Sequence, residues 1–217
     1  MVILYTAKKG VYINLNDISE EEKISGDLKV YVNLTNKCSC ACTFCLRNTK
    51  EMKESNSLWL EREPTYDEII SEFKKYDIAK FKEIIFCGFG EPTMALDTLI
   101  KVAEYIKNKS ANTPIRLNSN GLGDLVYEKE IAPLFKGLID TISISLNSSN
   151  AEEFLKLTRN KYGLSSYDSM IRFTISCKSY IPNVIMTVVD CIGEKEIAAC
   201  QAICDKIGVH LRVRPFE

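Results

Sequence analysis

The chain has 217 residues, 46% of them hydrophobic, enough for one sizeable core but short of the roughly 250 residues of a complete eight-stranded α/β barrel. Its 28 basic and 29 acidic residues are interspersed to a net charge of −1, which argues against an extended nucleic acid partner and favours a small-molecule, peptide or protein substrate while leaving a nucleoside-sized one open. No run reaches the ~18 apolar residues of a membrane span, Met1–Tyr5 followed by Lys8-Lys9 has the wrong order for an export signal, and nine cysteines in such a chain fit a reducing, cytoplasmic setting with metal ligation better than a disulfide framework.

The first predicted element is a hairpin, Val2–Tyr5 and Val11–Leu15 around Lys9-Gly10. Residues 1–27 thus read as an extension ahead of the main fold. Six strands follow: Val30–Leu34, Glu83–Cys87, Ile115–Asn118, Thr141–Leu146, Val184–Val189 and Leu211–Val213. Helical patterns lie between them. The first opens at Thr65-Tyr66-Asp67-Glu68, a capping box behind Pro64, with Ile69, Ile70 and Phe73 on one face. The second carries Leu96, Leu99, Ile100, Ala103 and Ile106, and the third covers Leu125–Phe135. The fourth has two parts, Ala151–Leu157 and, behind a capping signal at Ser165–Asp168, Ser166–Cys177; the fifth covers Glu194–Ile207. Repeated βα units with right-handed crossovers make an open barrel of six strands. The fold class expected is therefore α/β, a partial (β/α)6 barrel with a short N-terminal β-hairpin. Residues 1–217 read as a single domain with no large accessory domain.

Chemistry concentrates after the first main strand, at Cys38-Ser39-Cys40-Ala41-Cys42-Thr43-Phe44-Cys45. Cys38, Cys42 and Cys45 form C-x3-C-x2-C. Three thiolates at that spacing hold three corners of a 4Fe-4S cluster and leave one iron open to a ligand; thiolates suit zinc equally, so the spacing alone leaves both open. The loop leaves the carboxyl end of a strand, the face that carries active sites in α/β barrels. The second strand ends in Cys87-Gly88-Phe89-Gly90-Glu91-Pro92, where glycines allow close backbone approach or positive φ and Pro92 fixes the turn. The third ends in Leu117-Asn118-Ser119-Asn120-Gly121. Along the fourth, alternation puts Ser143, Ser145 and Asn147 on one face, looking into the barrel if Ile142, Ile144 and Leu146 face the helices.

The C-x3-C-x2-C spacing with an aromatic residue, Phe44, before the last cysteine, followed one βα unit later by Gly88-x-Gly90-Glu91-Pro92, resembles the radical S-adenosyl-L-methionine (SAM) superfamily. The stretch 46–64 and the terminal Arg212–Phe216 are similar to small TatD-associated members. The resemblance implies a 4Fe-4S cluster on Cys38, Cys42 and Cys45, with SAM chelating the open iron. It places Phe44, Gly88, Gly90, Glu91, Asn118, Ser143, Ser145, Asn147 and Val189 around SAM. The activity implied is reductive cleavage of SAM to a 5′-deoxyadenosyl radical that abstracts hydrogen from a substrate. The electron would come from a low-potential donor such as a flavodoxin or ferredoxin. Within the family, the alternatives are an enzyme modifying a nucleoside or deazapurine and an activase of a glycyl-radical protein. Outside it, the rival is a zinc-binding module using Cys40 or Cys87 as fourth ligand, which leaves Gly88–Pro92 and the polar strand unexplained. The fifth strand lacks the glycine and glutamate of the family's well-marked version, so the adenine contact is assigned to the backbone at Val188 and Val189.

Other residues receive plainer readings. Cys200 and Cys204, four apart on an apolar face, and Cys177 are core. Cys40 is a non-ligand, Cys87 structural, and Cys191 a thiol at the end of the fifth strand that is either structural or faces substrate. His210 is structural. The long connection Leu46–Glu63, with Trp59, reads as a lid or as packing against the first helix.

Overall fold

The structure, a computed structural model, describes residues 1–8, 10–49 and 57–216. Lys9 of the expected hairpin turn and residues 50–56 of the expected lid lie outside the described residues. Eight strands are hydrogen-bonded in the order β2-β1-β3-β4-β5-β6-β7-β8. They are β1 (Leu4–Lys8), β2 (Val11–Asn14), β3 (Lys29–Val32), β4 (Glu83–Phe86), β5 (Ile115–Ser119), β6 (Thr141–Ser145), β7 (Asn183–Val189) and β8 (His210–Arg214). The chain divides into two compact units, Met1–Lys37 with Glu51–Leu117 and Leu138–Asp140, and Cys38–Lys50 with Asn118–Gly137 and Thr141–Glu217.

In the first unit β1 and β2 form the expected antiparallel hairpin, and β1 also pairs antiparallel with β3. β3, β4 and β5 are parallel, with Val30 opposite Ile84 and Ile84 opposite Ile115. Ile84, Ile85 and Phe86 are all fully buried, as a parallel strand covered on both faces requires. Helix α3 (Tyr66–Phe73) opens with the expected capping box, Thr65 with Glu68, and buries Ile69, Ile70 and Phe73. Helix α4 (Leu96–Lys109) buries Leu99, Val102, Ala103 and Ile106. Asp140 tethers the start of β5: its Oδ2 accepts from Ile115 N at 2.7 Å and from Lys107 Nζ at 2.7 Å.

In the second unit β6, β7 and β8 are parallel. Ile142, Ile144 and Leu146 are fully buried, as the alternation predicts. Three helices belong here: α6 (Ala151–Thr158), α7 (Ser165–Cys177) and α8 (Glu194–Ile207). Phe154, Met170, Phe173, Cys177, Cys200 and Cys204 are buried, so the three cysteines are core as expected.

Several elements differ from expectation. The third helix is not continuous. Helix α5 (Gly123–Tyr127) stops at Glu128, which turns left-handed at φ 52°, and a separate 3-10 turn, Ala132–Phe135, restarts at Pro133. Asp124 Oδ1 takes the Ile131 N–H at 2.9 Å in between, so a side chain replaces the helical ladder. The capping signal at Ser165 is not used: Leu164 is the cap, without a side-chain bond, and Ser166 Oγ instead donates to the Gly163 carbonyl at 2.6 Å. Two short helices were not anticipated, α1 (Glu20–Ile24), behind a Ser19–Glu22 capping box, and α2 (Leu46–Thr49). β4 ends one residue early, so Cys87 lies just beyond it, its carbonyl accepting from Tyr5 Oη at 3.1 Å.

The first unit also fixes residues 33–37, which run directly into Cys38. Asn33 Nδ2 donates to the carbonyls of Val2 at 3.3 Å and Leu58 at 2.7 Å. Asn36 exchanges two bonds with Leu60, Nδ2 to O at 2.6 Å and Oδ1 from N at 3.0 Å. Thr35 and Lys37 both engage Glu63. From the other side comes the Gly88–Glu91 turn, with Glu91 N donating to the Lys37 carbonyl at 2.8 Å. Both glycines are needed for room and neither has a positive φ. A Cβ on Gly88 would stand 2.1 Å from Asn33 Oδ1, and one on Gly90 2.2 Å from the Thr35 carbonyl oxygen and 2.7 Å from that of Lys37. Gly90→Ala therefore has to displace main chain. The expected loss is about 1–3 kcal/mol or more, the usual cost of forcing atoms into a packed site, read as a lower urea midpoint with unchanged m.

Candidate functional site

The cysteine loop is held by one helix end. The last carbonyls of a helix have no partner within it. Here those of Leu157 and Thr158, in the last turn of α6, accept from Thr43 N and Ala41 N, each at 2.9 Å, and Lys161 N returns a bond to the Ser39 carbonyl at 3.2 Å. Cys45 N closes a turn on Cys42 O at 3.2 Å and leads into α2. This spacing of main-chain bonds sorts the thiols. Cys38, Cys42 and Cys45 are half-buried, whereas Cys40 is buried.

Cys40 sits between two of its neighbours. Hydrogen bonds with the Cys38 and Cys42 sulfurs push its pKa far up, and the bond from Cys40 draws that of Cys42 down despite burial. Hydrogen bonding within the loop thus favours the neutral form of Cys40 and the ionised form of Cys42. Among the described residues no three Cys, His, Asp or Glu side chains are arranged to hold a metal ion. The donor set itself fits an iron–sulfur cluster: three soft, accessible sulfurs on one short loop, with the fourth buried among them.

The turn after β5 is tied by its own side chains. Ser119 Oγ accepts from Gly121 N at 3.0 Å, and Asn120 Oδ1 accepts from Leu122 N at 2.9 Å. Asn120 reaches the cysteine loop, a role the sequence reading did not assign. Its Nδ2 lies 3.2 Å from Ser39 Oγ, 3.6 Å from Cys40 Sγ and 3.8 Å from Cys38 Sγ. Asn118, the residue singled out on this strand, is half-buried within β5.

On β6, Ser143 is buried and Ser145 half-buried. Asn147 follows at φ 60°, the centre of a three-residue turn closed by Ser148 N to the Leu146 carbonyl at 2.7 Å. Such turns are rare and strained, at a cost on the order of 1–3 kcal/mol. Asn147 is 3% exposed, and its Oδ1 is buried with no hydrogen-bond partner among the described residues. An orphan of that kind calls for a water or a ligand. The turn is held from α8. Glu196 Oε1 accepts from Ser148 Oγ at 2.9 Å and Ser149 N at 2.6 Å, a bond invisible in sequence because the partners are nearly fifty residues apart.

Beside this turn lies a cavity of about 390 Å³ lined by Phe44, Ser148, Leu157, Cys191, Glu196 and Phe216, among others. Cys191 is exposed, in a 3-10 turn directly after Val189, which is buried at the end of β7. In the first unit Glu91 is 5% exposed and caps the turn that follows it, its Oε1 accepting from Thr93 N at 3.2 Å and Oγ1 at 2.8 Å. Trp59 is exposed, which places it on the surface rather than in packing against α3.

The Ser149 N–H bond holds the Glu196 carboxyl below its ordinary pKa, outweighing partial burial. A depressed carboxylate stabilises the fold above its unfolded pKa, and the contribution disappears as pH falls through the folded value. Hydrogen exchange of residues 146–150, corrected for intrinsic rates, should therefore accelerate selectively on acidification below the ordinary carboxylate range. In Glu196→Gln that extra acid dependence should vanish.

Known proteins resemble the chain in sequence and in fold. The model of the radical SAM superfamily matches residues 32–198. The chain is 27% identical over 196 residues to a GTP 3′,8-cyclase of Corynebacterium glutamicum, covering 88% of this chain and 48% of that protein. It is 30% identical over 146 residues to a Methanocaldococcus jannaschii protein named, provisionally, as a glycyl-radical enzyme activating enzyme, covering 66% and 52%. It thus spans about half the length of these relatives. Among solved structures, Streptococcus suis SuiB bound to precursor peptide SuiA superposes with a TM-score of 0.65 at 13% identity, over 86% of this chain and 39% of that one. No helix among the described residues is long and apolar enough to cross a membrane. The fold is a partial (β/α)6 barrel with an N-terminal hairpin, and the chain belongs to the radical SAM superfamily, whose members bind a 4Fe-4S cluster and SAM.

Proposed function

We propose that this chain is the catalytic core of a radical SAM enzyme, one domain over 1–217, in which Cys38, Cys42 and Cys45 hold the 4Fe-4S cluster. The observation that carries the assignment is the sorting of the loop's thiols, three half-buried and one buried. Held by Cys38, Cys42 and Cys45, a reduced cluster would supply the one electron needed for reductive cleavage of SAM to methionine and a hydrogen-abstracting 5′-deoxyadenosyl radical.

The protein's part is to bind and orient. Asn147 offers its buried, unpartnered Oδ1 as an acceptor already fixed in place, which suits a hydroxyl or ammonium donor on SAM. Ser143 and Ser145 add hydroxyls from β6, the strand that leads into this turn. Glu91 supplies a carboxylate, and the Gly88–Gly90 backbone supplies carbonyls. Phe44, Asn118 and Val189 complete the proposed SAM contacts. The substrate is a small molecule or peptide; the likeness to a GTP 3′,8-cyclase supports a nucleotide-type compound. A flavodoxin or ferredoxin would deliver the electron.

Anaerobic reconstitution tests the core of this reading. The loaded protein should carry about four irons and four sulfides per chain, become paramagnetic on reduction, and release 5′-deoxyadenosine from SAM with dithionite. Cys38→Ala, Cys42→Ala and Cys45→Ala should each lose the cluster, while Cys40→Ala, Cys200→Ala and Cys204→Ala should keep it. Colourless protein with stoichiometric zinc and no iron uptake would overturn it.

The SAM assignment is tested separately. Asn147→Ala and Glu91→Ala should leave the cluster spectrum unchanged while weakening SAM binding roughly tenfold to a hundredfold, the range for one lost hydrogen bond to a charged group. Titration of SAM against the reduced cluster's paramagnetic signal measures this, and wild-type affinity in both variants would remove these residues from the site.

A further inference from the structure

Asn and Gln side chains are ordinarily ambiguous, because their oxygen and nitrogen look alike. Asn120 is not. The Leu122 main-chain N–H, 2.9 Å away, can only donate, so it fixes Oδ1 on its own side and turns the Nδ2 amide to the other. That side is the cysteine loop. On that side Ser39 Oγ lies at 3.2 Å, and the sulfurs of Cys40 and Cys38 at 3.6 and 3.8 Å. The amide carries two hydrogens, one for Ser39 and one for sulfur.

The turn that bears Asn120 has little freedom to withdraw it. Gly121 stands at φ 76°, and a Cβ there would lie 2.7 Å from Met170 Cγ and 2.9 Å from Ile144 Cγ2. Ser119, 4% exposed, ties the same turn through its hydroxyl. The donor is therefore held in advance by packing rather than recruited by its acceptor.

We infer that Asn120 is a tuning residue for the cluster, its amide N–H donating to the Cys38 sulfur and raising the cluster's reduction potential. This rests on the reading of Cys38 as a ligand. A hydrogen bond to a cluster sulfur stabilises the reduced state, which is one electron more negative, more than the oxidised one. A thiolate that ligates iron accepts a charge-assisted hydrogen bond, stronger than one to an uncharged sulfur, and the Cys38 sulfur lies within reach at 3.8 Å. The second hydrogen of the amide thus belongs to Cys38 once that residue ligates iron.

The test uses the full chain, reconstituted anaerobically, with two variants. Asn120→Ser keeps a hydroxyl that can cap the turn as Asx residues do, but is too short to reach the sulfurs. Asn120→Asp keeps the acceptor for Leu122 and replaces the donor with an anionic oxygen. Both should load iron as wild type does. Midpoint potentials, read by paramagnetic resonance in a redox titration without SAM, should shift negative in Asn120→Ser and further negative in Asn120→Asp. The wild-type reduced cluster should also show a coupling to an exchangeable proton that is absent in both variants. Potentials at or above wild type in both, on normally loaded clusters, would overturn the inference while leaving the proposed function intact. Failure of both variants to load iron, with wild type loading normally, would also overturn it by making Asn120 a folding residue. Failure of wild type to take up iron would overturn the cluster reading and this inference together.

Discussion

A single main-chain hydrogen bond, Glu91 N to the Lys37 carbonyl at 2.8 Å, fixes the residue from which the cysteines depart. It forms only because Gly90 has no side chain: any Cβ there would overlap the carbonyl oxygens of Thr35 and Lys37. The glycines of this motif are commonly credited with letting backbone approach a ligand. Here the backbone they admit is the protein's own. That accounts for two glycines at one-residue spacing without positive φ, because Gly88 clears the Asn33 amide and Gly90 clears the next turn of the same segment. Asn36 and Glu63 close the clamp from the opposite side, so residues 33–37 are tethered from two directions.

Beyond Lys37 the loop changes its means of support. It has little regular structure of its own, and two of its N–H groups, those of Ala41 and Thr43, are satisfied by the spare carbonyls at the end of α6. This is economical chemistry, since each group would otherwise need water. Ala41 and Thr43 turn their N–H groups to the helix, and the cysteines between and around them divide into one buried thiol and three half-buried ones. Hydrogen bonds with Cys38 and Cys42 raise the pKa of Cys40, and the bond from Cys40 lowers that of Cys42 against the effect of burial, with the soft donors left at the positions of the C-x3-C-x2-C spacing.

Much of this was legible in the sequence, and for identifiable reasons. The six main strands are β-branched runs between turn residues, α3 announces itself through Thr65 and Glu68, and the cysteine spacing is local. What could not be read was side chain acting on distant main chain. Asp124 intercepts the Ile131 N–H and breaks a helix whose apolar pattern is otherwise continuous, and Glu128 pays for the break by turning left-handed at φ 52°. Glu196 reads as one more surface carboxylate of α8 until its bonds to Ser148 and Ser149 are seen. Asn120 was visible as part of a turn, but its direction depends on a bond to Leu122 and on the space beside Met170. Sequence alternation gave Asn147 its face and said nothing of its φ.

Asn147 shows how these distant contacts become relevant to chemistry. A left-handed, non-glycine residue with an unpaired, buried carbonyl oxygen is doubly unfavourable, and a chain free to relax would pair that oxygen or straighten the turn. It cannot relax because Leu146 N is taken by the Thr187 carbonyl at 2.9 Å on one side, while Glu196 holds Ser148 and Ser149 on the other. The cost of presenting an unsatisfied acceptor is thus met by bonds made elsewhere in the fold, before any ligand arrives. A ligand that donates to Asn147 then gains a full hydrogen bond without the reorganisation that would ordinarily offset it. The same logic governs Asn120, where packing around Gly121 aims a donor instead of an acceptor. In both cases the site is prepared by residues that need never touch the reacting atoms.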